Sequence, residues 1–170
     1  RFGSLLEQTV DDFRASVNVS LIGTYIGARE AALRMVKRGS GVIINMSSLN
    51  AVTPGPGSGG YPAAKAGIAK LTEHMSLEVG PLGIRVNCVA PGFIDGGMSA
   101  PIYADPKVRA LRGGAVPLKR LGTIEDIATR YGISRNHLMK VAQALVQAGF
   151  VESLRGRGGG LRLAREPATL

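Results

Sequence analysis

The chain has 170 residues, 45% of them apolar, and a net charge of +9, which suits a globular protein of one ordinary domain or two small ones rather than a disordered chain. No apolar run approaches the roughly 18 residues of a membrane helix, so no membrane partner is expected and a cytoplasmic location follows by default. The lone Cys88, beside only His74 and His137, excludes an internal disulfide and argues against a metal or iron–sulfur centre.

The charge is unevenly spread. Residues 1–122 carry 14 basic and 8 acidic side chains, whereas 130–165 hold seven basic residues against Glu152 alone. A basic excess that dense suggests an anionic partner for the C-terminal segment. The first residue is Arg1 rather than Met, so the chain is expected to be a piece of something longer.

The first predicted element is a helix. Thr9 and Asp12 have the spacing of a capping box, and Phe13, Val17 and Leu21 then recur at i+4. The pattern runs to about Lys37, where Gly39 and Gly41 stop it. GVIINMSS (41–48) is a short apolar run of the kind that makes a buried parallel strand. A glycine- and proline-rich loop follows over 51–60.

A second helix is predicted from Tyr61, with Pro62 in its first turn and Ala64, Ile68, Leu71, Met75 and Val79 as its apolar stripe. Gly80-Pro81 ends it, and IRVNCVAPG (84–92) is a second buried strand. Strand, helix and strand make a βαβ unit with a right-handed crossover. From Phe93 to Gly122 no period is sustained, and a loop is expected.

The pattern then changes. Thr123 and Asp126 have capping spacing for a short helix to Tyr131, Gly132 makes a turn, and Ser134 caps a longer helix to about Ala148. FVESL and LRLA flank RGRGGG, the composition of a β-hairpin with a glycine-rich tip. Helix, turn, helix and hairpin outline a winged helix.

Chemistry concentrates first at Tyr61 and Lys65. Four apart on a helix they share a face, with Cβ atoms about 5–6 Å apart, and a cation beside a phenol favours the phenolate needed for proton exchange with an alcohol or carbonyl. Ser48 ends the preceding strand. YPAAKAG, GIRVNCVAPGFID and VPLKRLGTIEDIA follow in order, and VNVSLIGTYIGAREA precedes them. Over residues 1 to about 128 this resembles the short-chain dehydrogenase/reductase family. The resemblance implies a partial Rossmann-like α/β fold and a tetrad of Asn18, Ser48, Tyr61 and Lys65. Tyr61 would be the acid/base and Ser48 a donor to the substrate oxygen. Lys65 would hold the nicotinamide ribose, and Asn18 an ordered water. Tyr61, Lys65, Pro91, Gly92 and Ile94 would lie against NAD or NADP, and the substrate would be a small alcohol or carbonyl. The resemblance also implies a homodimer as one assembly. The family's glycine-rich first turn has no counterpart here, GPGSGG (55–60) lacks the G-x-G-x-x-G spacing, and Gly96 stands where the family often has threonine. Turnover by these 170 residues alone is therefore not expected.

From about Glu125 to Pro167 the sequence instead resembles NsrR/IscR-type winged-helix repressors, most specifically in RGRGGGLRLAR. Asn136, Lys140 and Gln143 fall on one face of the second predicted helix, with Ser134 and Arg135 at its start; such side chains suit base edges and phosphates. Arg155 and Arg157 lie on the hairpin tip, within reach of phosphates or a minor groove. The implied partner is DNA. The chain thus divides into a dehydrogenase-like part, 1–122, and a winged helix-turn-helix-like part, 123–170, a chimera joined within the short run GTIEDIATRYGIS. Its two expected functions are an NAD(P)-dependent oxidoreductase and, alternatively, a DNA-binding regulator.

Overall fold

The computed structural model describes residues 3–131, 151–154 and 160–163. These fall into two compact units, one formed by residues 1–90 with 145–170 and the other by 91–144.

The first unit opens with the predicted helix, in three consecutive pieces: α1 (Val10–Val17), a π-helical turn (Asn18–Ile22) and α2 (Gly23–Val36). The Thr9 hydroxyl accepts from the Asp12 backbone N–H at 3.1 Å, while the Asp12 carboxylate accepts from the Thr9 N–H. This reciprocal cap satisfies two of the donors a helix start leaves open. The change of winding at Asn18 is not predicted by the apolar spacing, which stays continuous through it.

Strand β1 (Gly41–Met46) pairs in parallel with β2 (Ile84–Val89), from Gly41 opposite Ile84 to Met46 opposite Val89. The crossover is α3 (Tyr61–Val79), which starts after Gly60 with proline in its first turn. Gly83, in the left-handed conformation at φ 81°, turns the chain into β2. Ala28 and Ala32 from α2, Met75 from α3, Ile43 from β1 and Ile84 and Val86 from β2 form the core. Ile68 and Ile84 are fully buried.

Alternation along the strands assigns their faces. Ile43, Asn45 and Ser47 point inward, whereas Val42 and Ile44 are 44% and 37% exposed. The period-2 rule of a pleated strand accounts for this division. Among the described residues the β1–β2 sheet has two strands and therefore two unpaired edges.

The second unit corrects one expectation. The segment Phe93–Gly122 contains a helix, α4 (Pro106–Ala115), capped by the Asp105 side chain, which accepts from the Lys107 N–H at 2.8 Å. The Asp-Pro start signals this helix, but its ten residues hold few apolar side chains and Gly113 and Gly114 interrupt its last turn. Helix α5 (Ile124–Tyr131) begins at the predicted cap, with Thr123 N–H donating to Asp126 Oδ2 at 2.8 Å and Asp126 N–H donating to Thr123 Oγ1 at 3.1 Å. An isolated bridge joins Ile94 to Gly122.

In the C-terminal segment, β3 (Val151–Leu154) and β4 (Gly160–Leu163) pair antiparallel, with Val151 opposite Leu163 and Leu154 opposite Gly160. This is the predicted hairpin backbone. The helix expected over 134–148 lies outside the described residues.

Candidate functional site

The site is built where β1 ends and α3 begins. Tyr61 and Lys65 occupy the first two turns of α3, and both are half-buried. The Lys65 Nζ stands 5.5 Å from the centroid of the Tyr61 ring. That ammonium also reaches back across the strand end and donates to the Met46 carbonyl oxygen at 2.8 Å. Burial holds the Lys65 ammonium below the ordinary lysine pKa, against a smaller opposing influence of Cys88. Desolvation penalises the charged form, and removing the ammonium from water outweighs the opposing influence.

Ser48 is the second residue past β1. Its backbone is extended and it caps a short 3₁₀ turn (Leu49–Ala51), its Oγ accepting from the Asn50 N–H at 3.2 Å. Asn18 opens the π-helical turn: the Gly23 N–H donates to its carbonyl, five residues back, as well as to that of Ser20. Such turns inside α-helices widen the backbone and recur at functional sites. Asn18 lies between two close approaches of its helix to α3. Phe13 packs on Gly60 so tightly that a Cβ there would come within 2.6 Å of its ring, and Leu21 packs on Gly67, where a Cβ would stand 2.9 Å away. Small residues at 60 and 67 thus allow the helix bearing Asn18 to lie against the one bearing Tyr61 and Lys65.

The spacing-based prediction of a shared face for Tyr61 and Lys65 therefore matches their placement. Pro91, Gly92 and Ile94 belong to the second unit, where Ile94 sits beside Gly122. Ser134, Arg135, Asn136, Lys140, Gln143, Arg155 and Arg157 lie outside the described residues.

One residue at this site escapes a reading of the sequence. Ser47, nearly fully buried, donates its hydroxyl to the Lys65 carbonyl oxygen at 2.7 Å, and its N–H to Val89 O at 2.7 Å. The Ser-Ser doublet was the available signal. Only the inward pleat of position 47 distinguishes the two serines.

A parallel βαβ unit with this pair at the start of its crossover helix is a Rossmann-like arrangement. Residues 1–132 match the family model described as enoyl-(acyl carrier protein) reductase. The chain belongs to the short-chain dehydrogenase/reductase family. It is 36% identical over 122 residues to 3β-hydroxysteroid dehydrogenase 1 of Eggerthella lenta, covering 71% of this chain and 47% of that protein. To 3-oxoacyl-[acyl-carrier-protein] reductase FabG of Chlamydia muridarum it is 42% identical over 126 residues, covering 74% and 50% respectively. The crystal structure of the corresponding reductase from Brucella melitensis superimposes with a TM-score of 0.69 at 35% identity, over 75% of this chain and 47% of that one. A candidate NAD(P)-dependent gluconate 5-dehydrogenase from Beutenbergia cavernae, solved with NADP bound at low occupancy, gives 0.73 at 25% identity, over 77% and 53%.

The chain thus spans about half the length of the curated relatives it matches. Residues 115–170 separately match the model of the iron-dependent transcriptional regulator Rrf2, so the two matches overlap between 115 and 132. The expected junction at GTIEDIATRYGIS lies largely within that overlap.

Proposed function

We propose that residues 1–132 are the catalytic half of an NAD(P)-dependent oxidoreductase that interconverts a small alcohol and a carbonyl. The observation that carries this reading is the Lys65 ammonium, 5.5 Å from the Tyr61 ring centroid at the end of a parallel strand. Tyr61 would exchange a proton with the substrate oxygen at its phenolic hydroxyl, and Ser48 would donate a hydrogen bond to that oxygen. The residues present fit the ribose end of a nicotinamide cofactor: Lys65 carries three N–H donors, and one is engaged by Met46. The cofactor, when bound, supplies or accepts the hydride. Asn18 belongs to the same reading as the holder of an ordered water, with Pro91, Gly92 and Ile94 along the nicotinamide.

The test is NADPH consumption with a panel of 3-oxoacyl thioesters and ketones. The chain would be assayed alone and mixed with the N-terminal half of a FabG relative. Carbonyl-dependent turnover in the mixture, lost in Tyr61→Phe, is the expected result. Turnover that survives Tyr61→Phe, or none in either condition, would overturn the assignment.

A second reading rests on a separate observation: the Rrf2 match over 115–170, together with the antiparallel pairing of β3 and β4 around Arg155–Gly159. It assigns the C-terminal segment to DNA, with Ser134, Arg135, Asn136, Lys140, Gln143, Arg155 and Arg157 in contact. Affinity should fall steeply as salt rises, and Arg155→Ala or Arg157→Ala should weaken it. Salt-insensitive binding would sink this reading. With the single cysteine at position 88, the segment 115–170 holds none for an iron–sulfur cluster.

A further inference from the structure

We propose that Ser47, a residue outside the Asn18, Ser48, Tyr61, Lys65 set, is the positioning residue that fixes Lys65 beside Tyr61. The inference rests on the oxidoreductase reading above for its functional meaning, though not for its test. Lys65 is gripped at both ends by two consecutive residues of the strand terminus. Ser47 Oγ donates to its backbone carbonyl at 2.7 Å, and the carbonyl of Met46 accepts from its ammonium at 2.8 Å. Met46 closes the β1 ladder opposite Val89, and Ser47 extends it by donating its own N–H to Val89 O at 2.7 Å. The strand end is thereby fixed to β2 before it engages α3.

Three properties make the serine hydroxyl the selective element in this arrangement. Ser47 is 3% exposed, so no water competes for its bond to the helix carbonyl. That carbonyl has a second lone pair beyond the one its helix uses, so the serine adds a tie without breaking the helix. The next residue is Ser48, so one backbone step transmits the same constraint to the proposed substrate donor. Without the Ser47 hydroxyl, the hydrogen bond that still ties Lys65 to the end of β1 runs through its long, flexible side chain. The ammonium then loses its fixed place near the tyrosine ring.

Competitive acetylation of the whole chain, read by mass spectrometry, reports this directly. The measured quantity is the labelling of Lys65 relative to Lys70, which lies on the same helix with an exposed side chain. Ser47→Ala should raise that ratio about fivefold, the factor expected for one lost hydrogen bond. Hydrogen exchange across Ile84–Val89 should stay as in the parent, and Ser47→Thr, which keeps the hydroxyl, should restore the ratio. An unchanged ratio in Ser47→Ala, a rise that Ser47→Thr leaves uncorrected, or a rise accompanied by faster exchange in β2 would each overturn the assignment. The labelling needs no turnover. Absent reductase activity would therefore sink the proposed function while leaving Ser47 to be judged on this measurement.

Discussion

Asn45 and Thr72, both buried, are joined by a 2.9 Å hydrogen bond from the amide Nδ2 of one to the hydroxyl of the other. The Thr72 hydroxyl in turn donates to the Ile68 carbonyl at 2.8 Å. This chain links β1 to the middle of α3. Thr72→Val keeps the shape but removes the acceptor, leaving a buried amide N–H without it. The expected loss is about 1–3 kcal/mol of unfolding free energy, because an orphaned buried donor costs its desolvation. Urea denaturation measures it; a loss within a few tenths of a kcal/mol would mean the amide finds another partner.

Two glycines at the end of α3 should respond oppositely to alanine. Gly83 has φ 81°, and a Cβ there would stand 2.1 Å from the Gly39 carbonyl oxygen, which is backbone and cannot swing away. Gly83→Ala should therefore cost more than the roughly 1–2 kcal/mol of left-handed strain alone. Gly80 is right-handed at φ −57° with open space around its Cβ position. Gly80→Ala should be neutral or stabilising by up to about 1 kcal/mol, through a less flexible unfolded chain. Thermal melts of the pair decide it, and equal shifts would refute the conformational argument.

These local conflicts also mark what the sequence could convey. The βαβ unit was legible because its strands are short apolar runs and α3 carries a clear 3.6-residue stripe. Tyr61 and Lys65 share a face by helical spacing alone. The π-helical turn at Asn18 was hidden, since an i→i+5 bond leaves the apolar pattern of Phe13, Val17 and Leu21 undisturbed. Helix α4 was hidden for a different reason: it is short, polar on average and holds Gly113 and Gly114 near its end, so its Asp105 cap was the clearest cue. Thr72 sits within the buried face of α3, although threonine is a residue type more often exposed than buried. Its partner Asn45, on a strand 27 residues earlier, explains why. Ser47 and Ser48 differ in role only through pleat direction, and residue type cannot reveal that.

The cap of α5 predicts an acid titration. The Arg120 guanidinium and the Thr123 N–H hold the Asp126 carboxyl well below the usual carboxylate range. A depressed carboxylate contributes stability above its unfolded pKa and loses it as pH falls through the folded one. Asp126 should accordingly stay ionised in acid where ordinary carboxylates, near about 3.9, have already protonated. In Arg120→Gln its NMR titration midpoint should move upward toward that ordinary value, because the first cause of the depression is gone. A midpoint unmoved by Arg120→Gln would assign the depression to the Thr123 N–H instead.

Lys65 predicts the opposite behaviour at the alkaline end. Burial lowers its pKa in the folded chain from the ordinary 10.5. Between that lowered value and 10.5, the unfolded chain binds more protons at this site than the folded chain does, so the site's contribution to stability rises with pH. Below the folded pKa the desolvation penalty is present in full, and above 10.5 it vanishes. Replacing Lys65 by Met keeps the length of the buried stem and removes the titrating group. Urea midpoints measured across the alkaline range should rise less with pH, or fall more, in the parent's Lys65→Met variant than in the parent. Parallel pH profiles for the two proteins would show that the ammonium is hydrated in the folded state. In that case its bond to Met46 would not fix it beside Tyr61.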